Sequence, residues 1–464
     1  MFSKVAIANR GAVAARLVRT LSSLGAKSLV LCSEADQNLP YVRQADEFKV
    51  IGPPEPLKSY LNHDKVIEAA VEAKCDALHP GWGFLSENAE FAEKLRERSI
   101  VFIGPSPKWL RIMGDKVAAK KEMARLGLAV FPSTGELSGD ITLMVNEASS
   151  IGFPLLIKPS GGGGGIGMIE VDGPDKLLKA LESAASQALR SFNRSSLYAE
   201  RLVKNPRHVE FQVVCDLYGQ GFHLFERDCS IQRRRQKILE EAGAPSIDRS
   251  LLNQRANQAA SVLAHLGYDQ IGTVENLYEP EAGFGFLEVN PRLQVEHAVT
   301  EEICQIDLVA LQVRLALGEK AGQLLKGLPE APIGHSVEAR IYAEDSLRFL
   351  PSPGPLKCFR PPSGQGIRVE TGFVEGAVVT PFYDPMIAQV IASGADRNEA
   401  LARLDKALAD FEIEGLKTNI PFLRAMLRYP PFIEGHPNAS LAAELLASDG
   451  YKDSLEKLKS APPL

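Results

Sequence analysis

The first hundred residues alternate short apolar runs with segments of helical period, and this alternation constrains the fold more than any other feature. Val5-Ala6-Ile7-Ala8 is apolar and ends in the turn Asn9-Arg10-Gly11. Over residues 12–24, Val13, Leu17, Leu21 and Leu24 fall on one helical face, and Gly25 closes the segment. Residues 28–32, 76–79 and 100–103 read as further strands, the last two followed by Pro80-Gly81 and Gly104-Pro105 turns. Strands joined through helices pair in parallel, because two-residue hairpins cannot make that connection. An open parallel sheet follows, with ligands beyond the carboxyl ends of its strands. The Gly11 turn lacks the G-x-G-x-x-G dinucleotide spacing.

A chain of 464 residues is too long for one core and predicts two to four domains at about 150 residues each. A second region, over residues 130–201, centres on the strand Phe153-Pro154-Leu155-Leu156-Ile157-Lys158, which opens into glycines 161–165. A third region, residues 202–450, is richer in strands. Within it Ile303, Ile306, Ala310, Val313 and Leu317 are spaced as one amphipathic helix. The polar tail after Tyr451 ends in Pro462-Pro463 and is expected to fray.

The net charge of −6 and a pI near 5.9 argue against nucleic acid as a partner. No stretch reaches the ~20 apolar residues that span a bilayer, and Met1-Phe2-Ser3-Lys4 carries no leader pattern. Six scattered cysteines without a C-x-x-C pair read as free thiols. The expectation is a cytoplasmic protein without a membrane partner.

Five consecutive glycines cost backbone entropy, so such a run either wraps an anion, forms a moving lid or serves as a linker. The flanking strand and Lys158, a point charge for phosphate, favour the anion. No Walker A sequence occurs. The densest polar segment has Glu288, Asn290, Arg292, Gln294 and Glu296 at period two, with Leu287, Val289, Pro291, Leu293 and Val295 between them. In extended backbone the polar set shares one face, either a solvated surface or the wall of an active site. Asn290-Pro291 implies a bend within it. With Glu275 upstream, Glu288 and Asn290 supply the hard oxygen ligands that Mg²⁺ prefers. Arg227, Arg233, Arg234, Arg235 and Lys237 put five cations in eleven residues. The interleaved acids make this a cluster for ATP phosphates and a small oxyanion ahead of nucleic acid.

Together these motifs resemble the biotin carboxylase branch of the ATP-grasp fold, from Ile7-Ala8-Asn9-Arg10-Gly11 to Gly415-Leu416-Lys417-Thr418-Asn419. The shared strings include Lys58-Ser59-Tyr60-Leu61-Asn62, His79-Pro80-Gly81-Trp82-Gly83-Phe84-Leu85-Ser86-Glu87-Asn88, Met113-Gly114-Asp115-Lys116, Pro206-Arg207-His208-Val209-Glu210, residues 226–232, Gln294-Val295-Glu296-His297 and Leu350-Pro351-Ser352-Pro353-Gly354. The resemblance implies an α/β and α+β chain. Its parts would be a Rossmann-like N-terminal domain over 1–112, an ATP-grasp domain over 113–335 with a mobile lid at about 130–201, a C-terminal biotin carboxylase domain over 336–445 and a tail over 446–464.

By the same resemblance, ATP meets Lys116, Lys158, Gly163, Gly164, Gly165, Gly167, Met168, Glu200, Arg201, Val203, His208 and Gln232. Mg²⁺, with Mn²⁺ as an alternative, meets Glu275, Glu288 and Asn290. Bicarbonate meets Lys237, Arg292, Gln294, Val295 and Glu296, and biotin meets Trp82 and Arg340. Glu296 is the implied base, with Arg292, Arg340 and Lys237 as its catalytic companions. The implied reaction is carboxylation of biotin with ATP and bicarbonate through carboxyphosphate. It is the first half-reaction of an acetyl-CoA or acyl-CoA type carboxylase, as in fatty acid biosynthesis. No Ala-Met-Lys-Met biotin-attachment sequence occurs, so the expected partners are a separate biotin carboxyl carrier protein, a carboxyltransferase subunit and a second copy of the chain.

The sequence departs from the family pattern at Ala12, Ile166, Arg235 and Pro291, where the family has Glu, Arg, His and Thr, and Trp82 stands at a usual tyrosine. None of these removes a predicted metal, base or ureido residue. Three alternatives stay open: another ATP-grasp ligase, a carboxylase acting directly on a small nitrogen compound, and a non-catalytic scaffold. Glu296 and Arg340 together argue against the first, and retention of the predicted catalytic set argues against the last.

Overall fold

The computed structural model describes residues 1–137, 139–160, 167–192, 195–458 and 464. The N-terminal alternation folds as expected. Five parallel strands lie in the order Glu47–Gly52, Lys27–Ser33, Lys4–Ile7, Ala77–His79, Val101–Phe102. The helix Gly11–Ser23 buries Val13, Leu17 and Leu21. The sheet order reverses at strand Lys4–Ile7. The Asn9-Arg10-Gly11 turn at its carboxyl end therefore lies in the crevice where open α/β sheets bind ligands. Asn9 holds this turn by donating from Nδ2 to the carbonyls of Pro80 (2.6 Å) and Trp82 (2.7 Å).

A separate unit forms around strand Leu155–Pro159, flanked by antiparallel Ile169–Val171 and Leu197–Arg201. Helices Ile141–Ser149 and Pro174–Phe192 pack on it and give it an apolar cluster of its own, with Leu155, Ile157, Leu177 and Leu181 at its centre.

The largest element is one antiparallel sheet. Its order is Gly283–Asn290, Ile271–Glu279, Arg207–Cys215, Gly221–Arg233, Gln236–Ala242, His335–Tyr342, Met386–Gly394, Ile367–Glu370. Strands from both sides of residue 335 thus share one ladder, with Glu240 paired to Glu338 and Leu239 to Ala339.

Two expectations need correction. Residues 303–317 do not form one helix: His297–Cys304 ends at Gln305, whose φ of +55° is left-handed, and Asp307 caps a new helix, Leu308–Ala316, by accepting from the Ala310 N–H. The polar alternation from Glu288 does end at the expected bend, at Asn290, because Pro291 has no N–H to continue the ladder. The tail is not frayed throughout: Tyr451–Leu458 is a helix with Tyr451 and Leu458 buried, and the Tyr451 hydroxyl donates to Ser346 O at 2.7 Å. All six cysteines are free and buried. Among the described residues no helix is long and apolar enough to cross a membrane.

The C-terminal region closes on the N-terminal turn at Gly372. A Cβ there would lie 2.6 Å from the Gly11 carbonyl carbon, and backbone cannot yield that space cheaply. Gly372→Ala is expected to lower stability by about 1–3 kcal/mol, read from the urea midpoint at unchanged slope.

Candidate functional site

The site is built on a row of charge across the large sheet. Glu288 pairs directly with Glu275, Glu275 with Glu210, and Glu210 with Arg227, on four successive strands. Like charges directly opposite destabilise a sheet, so three adjacent carboxylates demand cations. Arg227 is fully buried and gives Nε to Glu210 Oε1 at 2.6 Å; its other N–H groups reach Gln212, Thr273 and Thr300. Lys237 Nζ donates to Glu210 (2.6 Å), Glu275 (2.7 Å) and Glu296 (2.7 Å). Lys116 reaches Glu288 at 2.5 Å.

These contacts set the protonation states. Burial disfavours the Lys237 ammonium, but the three carboxylates outweigh it and hold its pKa well above the usual lysine value. Burial likewise opposes the charge on Glu296 and Glu275. Lys237 with Arg340 keeps the first well below the carboxylate range, and Lys237 with His208 does the same for the second. Burial lowers His208 but Glu275, 3.2 Å from Nε2, more than compensates and raises it. Gln232 Nε2 lies 3.1 Å from His208 Nδ1.

Glu296 is the hub of the pocket. It precedes helix His297–Cys304, is wholly buried, and meets Lys237 through Oε1 and Arg340 Nη2 through Oε2 at 2.8 Å. Arg292 hangs beside it, giving hydrogen bonds to Gln294 Oε1 (2.7 Å), Asn290 Oδ1 (3.1 Å) and Glu87 (2.5 Å). Gln294 in turn donates to Glu275 at 3.3 Å. The predicted bicarbonate and metal sets therefore form one network, with Lys237 joining them. Glu275, Glu288 and Asn290 share one face of the two paired strands. A cross-strand pair of carboxylates beside an amide oxygen is a donor set suited to a hard divalent cation.

At the nucleotide end, Glu200 carries the charge of two lysines. Lys158 touches one carboxylate oxygen and Lys120 the other at 2.7 Å. Burial alone would raise Glu200, yet Lys158 and Lys120 bring it down to about 2. Lys158 is itself lowered by burial, against the pull of Glu200. Val203 and Gln232 line a cavity of about 1350 Å³ that also takes in Arg233, Arg234 and Arg235. Gly167 is left-handed at φ +78°, packed on Pro159, with Met168 next to it, and Arg201 is exposed. Gly163, Gly164, Gly165 and Ile166 lie outside the described residues.

Trp82 and Arg340 meet in a second cavity of about 450 Å³ with Asn9, Gly11, Ala12 and Tyr383. The Trp82 ring lies 5.9 Å from that of His297. Here Arg10 stacks on Tyr383 at 4.1 Å and pairs with Asp36 at 2.7 Å, which fixes the turn as one wall.

The basic run behaves differently from its reading as one cluster. Arg227 is interior and bound to Glu210, Arg233 is bound to Glu344 at 2.7 Å, Arg234 and Arg235 form a left-handed turn facing the large cavity, and Lys237 joins three carboxylates. A β-turn at 234–235 sends neighbours in opposite directions, which a count of cations along a chain does not reveal. Lys120, Glu210, Glu240 and Glu338 were not singled out. Lys120 stands one helical turn after Lys116. The others are acids inside apolar strands, a pattern that marks them as buried charges.

Three family models match in sequence: the biotin carboxylase N-terminal domain over residues 1–110, the carbamoyl-phosphate synthase L chain ATP-binding domain over 115–324, and the biotin carboxylase C-terminal domain over 338–443. Biotin carboxylase 2 of Bacillus subtilis is 45% identical over 435 residues, covering 94% of this chain and 98% of the relative. The biotin carboxylase–βγ-ATP complex from Campylobacter jejuni superposes with a TM-score of 0.91 at 38% identity, over 96% of this chain and 99% of that one. The biotin carboxylase domain dimer of Hydrogenobacter thermophilus 2-oxoglutarate carboxylase, solved with MgADP, ADP and bicarbonate, gives 0.92 at 37% identity, over 96% and 98%.

Two outcomes test the network. Lys237→Met strips three carboxylates of their shared cation and should cost about 3–5 kcal/mol in urea unfolding at neutral pH, with a smaller loss in acid, where the carboxylates protonate. Glu200, Glu241 and Glu301 are each brought to about 2 from the ordinary 4.5, despite burial, by Lys158, Arg397 and His297 respectively, each with further cations. A depressed folded-state pKa contributes stability that is present above the unfolded value and lost on acidification. The unfolding free energy should therefore fall steadily from about pH 4.5 to pH 2, and Glu200→Gln should flatten part of that slope.

Proposed function

We propose that the chain, which belongs to the biotin carboxylase family, is the subunit that loads carbon dioxide onto biotin borne by a separate carrier protein, for a carboxyltransferase partner to use. Its activity is that of an ATP-dependent ligase: biotin is carboxylated at the expense of ATP and bicarbonate. The observation that carries the residue roles is the double engagement of Glu296, with Lys237 on one oxygen and Arg340 on the other.

In this reading bicarbonate lies against Lys237, Arg292, Gln294 and the backbone of Val295. Glu296 takes its proton, and the oxygen so freed attacks the terminal phosphorus of ATP, giving ADP and carboxyphosphate. Lys116 and Lys158 turn from Glu288 and Glu200 to the phosphates, with Glu200, Arg201, Val203, His208, Gln232 and the glycines 163–165 and 167 with Met168 around the nucleotide. Glu275, Glu288 and Asn290 would hold Mg²⁺, which supplies charge neutralisation at the phosphates. Carboxyphosphate separates into carbon dioxide and phosphate. The phosphate accepts the biotin N1 proton, N1 bonds to the carbon, and Arg340 stabilises the ureido oxyanion while Trp82 walls the cavity.

The low pKa of Glu296 has a consequence for this sequence of events. Bound to Lys237 and Arg340, Glu296 is ionised but a weak base. Bicarbonate engages Lys237 and biotin engages Arg340, so each substrate removes a cation from the carboxylate and strengthens it. The dimer formed by the Hydrogenobacter domain supports a second copy as partner here.

Bicarbonate-dependent ATP hydrolysis by the purified chain, with and without free biotin, tests the reading. Glu296→Ala should reduce turnover by about 10²–10⁴-fold. Arg340→Ala should lose more of the biotin response than of basal hydrolysis. Hydrolysis indifferent to bicarbonate would overturn the reading, and a bicarbonate response without a response to biotin or to biotinylated carrier protein would point to direct carboxylation of another nitrogen compound.

A further inference from the structure

Behind Arg340 stand two carboxyl groups that the carboxylation steps do not use. Glu240 and Glu338 are direct antiparallel partners on neighbouring strands, and both are wholly buried. Directly paired side chains have Cβ atoms about 5 Å apart, so two ionised carboxylates here would repel at close range without water between them. Glu240 Oε1 is 2.7 Å from Arg340 Nε, while Arg340 Nη2 is given to Glu296. Gln389 Nε2 donates to Glu338 Oε1 (2.7 Å) and to the Val295 carbonyl (2.8 Å). Glu240 Oε1 has only this ion pair with Arg340, and neither Glu240 Oε2 nor Glu338 Oε2 receives a hydrogen bond. Two buried acceptors on paired residues without a donor lack a hydrogen, and a proton between the two carboxyl groups supplies it.

The surrounding charge calls for the same proton. Glu240, Glu296 and Glu338 are three wholly buried carboxyl groups around the single guanidinium of Arg340, with Lys237 on Glu296 as the next cation. Facing the pair are Arg340 and Tyr342 from its own strand, Lys237 from the Glu240 strand, Cys229 and Arg227 from the next strand, Glu210 beyond that, and Glu296 from the segment before helix His297–Cys304. That helix brings His297 and Glu301, which is held by Arg16 and Arg368, and helix Arg397–Asp410 brings Asp405, bound to Arg424. Burial first, then mutual repulsion and Glu296, raise Glu338 well above the usual range. Burial first, with Glu296 behind it, brings Glu240 to about 7 against the pull of Arg340.

We propose that Glu240 and Glu338 share one proton and thereby position Arg340, taking one face of its guanidinium while leaving the other to Glu296 and the ureido oxygen. The inference rests on the reading of Arg340 as the group that meets biotin. Loss of the shared proton puts a second negative charge beside Arg340, draws the guanidinium towards the pair and withdraws it from the cavity. The pair acts through Arg340 and touches no reacting atom. Its effect should fall on the biotin response and spare basal hydrolysis.

The test is the pH profile of kcat/KM for free biotin in the unmodified chain, Glu338→Gln and Glu240→Gln, beside an infrared difference spectrum of unmodified against Glu338→Gln protein at neutral pH. The unmodified chain should lose about tenfold in kcat/KM per pH unit on its alkaline limb, and either glutamine, which cannot ionise, should move that limb up by about one unit or more. The spectrum should show a protonated-carboxyl C=O band that the variant lacks. An alkaline limb in the same place in all three proteins, or no such band, would overturn the inference. A chain without any biotin response would fail the function reading instead, and the infrared band would still decide whether the pair holds a proton.

Discussion

Three glutamates in register on adjacent strands are the constraint around which this molecule is arranged. Such a row is unfavourable in any sheet, and within a closed cleft it persists only if cations are delivered to it from elsewhere in the chain. Arg227 comes from within the same ladder, Lys237 from the strand beyond it, and Lys116 from the helix Lys116–Arg125. The tertiary structure can be read as the means of bringing these three to one place. A buried ion network of this kind adds little net stability over an apolar core of equal volume, so its presence points to chemistry.

The same economy explains why substrate and protein compete for the same groups. Five of the cations proposed to meet substrate are already held by protein carboxylates: Lys116 by Glu288, Lys158 by Glu200, Lys237 by three glutamates, Arg292 by Glu87 and Arg340 by Glu296 and Glu240. The folded protein is therefore charge-satisfied before any substrate arrives. Substrate anions enter by exchange, which spares the apo form the cost of naked buried charge.

Much of this was legible in the amino-acid order. The parallel sheet followed from strand–helix alternation, and the Asn9-Arg10-Gly11 turn from where a strand ended. Glu275, Glu288, Asn290, Arg292, Gln294 and Glu296 were recognisable by chemistry, spacing and resemblance. What could not be read was pairing between distant strands. Nothing local links Glu210 to Glu275 across 65 residues, or Glu240 to Glu338 across 98, because register is set by tertiary packing and leaves no periodic trace. Helix 303–317 was misread for a related reason: the apolar stripe continued through Gln305 while the backbone turned. The dispersal of the basic run came from a turn of two arginines, residues with no special turn preference.

The continuity of the large sheet across residue 335 carries a consequence for scale. Glu288, Glu275, Glu210, Arg227, Glu240 and Arg340 stand on six consecutive strands. Neighbouring strands are about 4.8 Å apart, so five steps set the outermost backbones about 24 Å from one another along the ladder, while side chains from both halves reach inward to the network of Lys237 and Glu296. The distance is ruled by backbone hydrogen bonds and does not depend on the length of any connection. The sheet works as a gauge block that holds its two ends in a fixed relation.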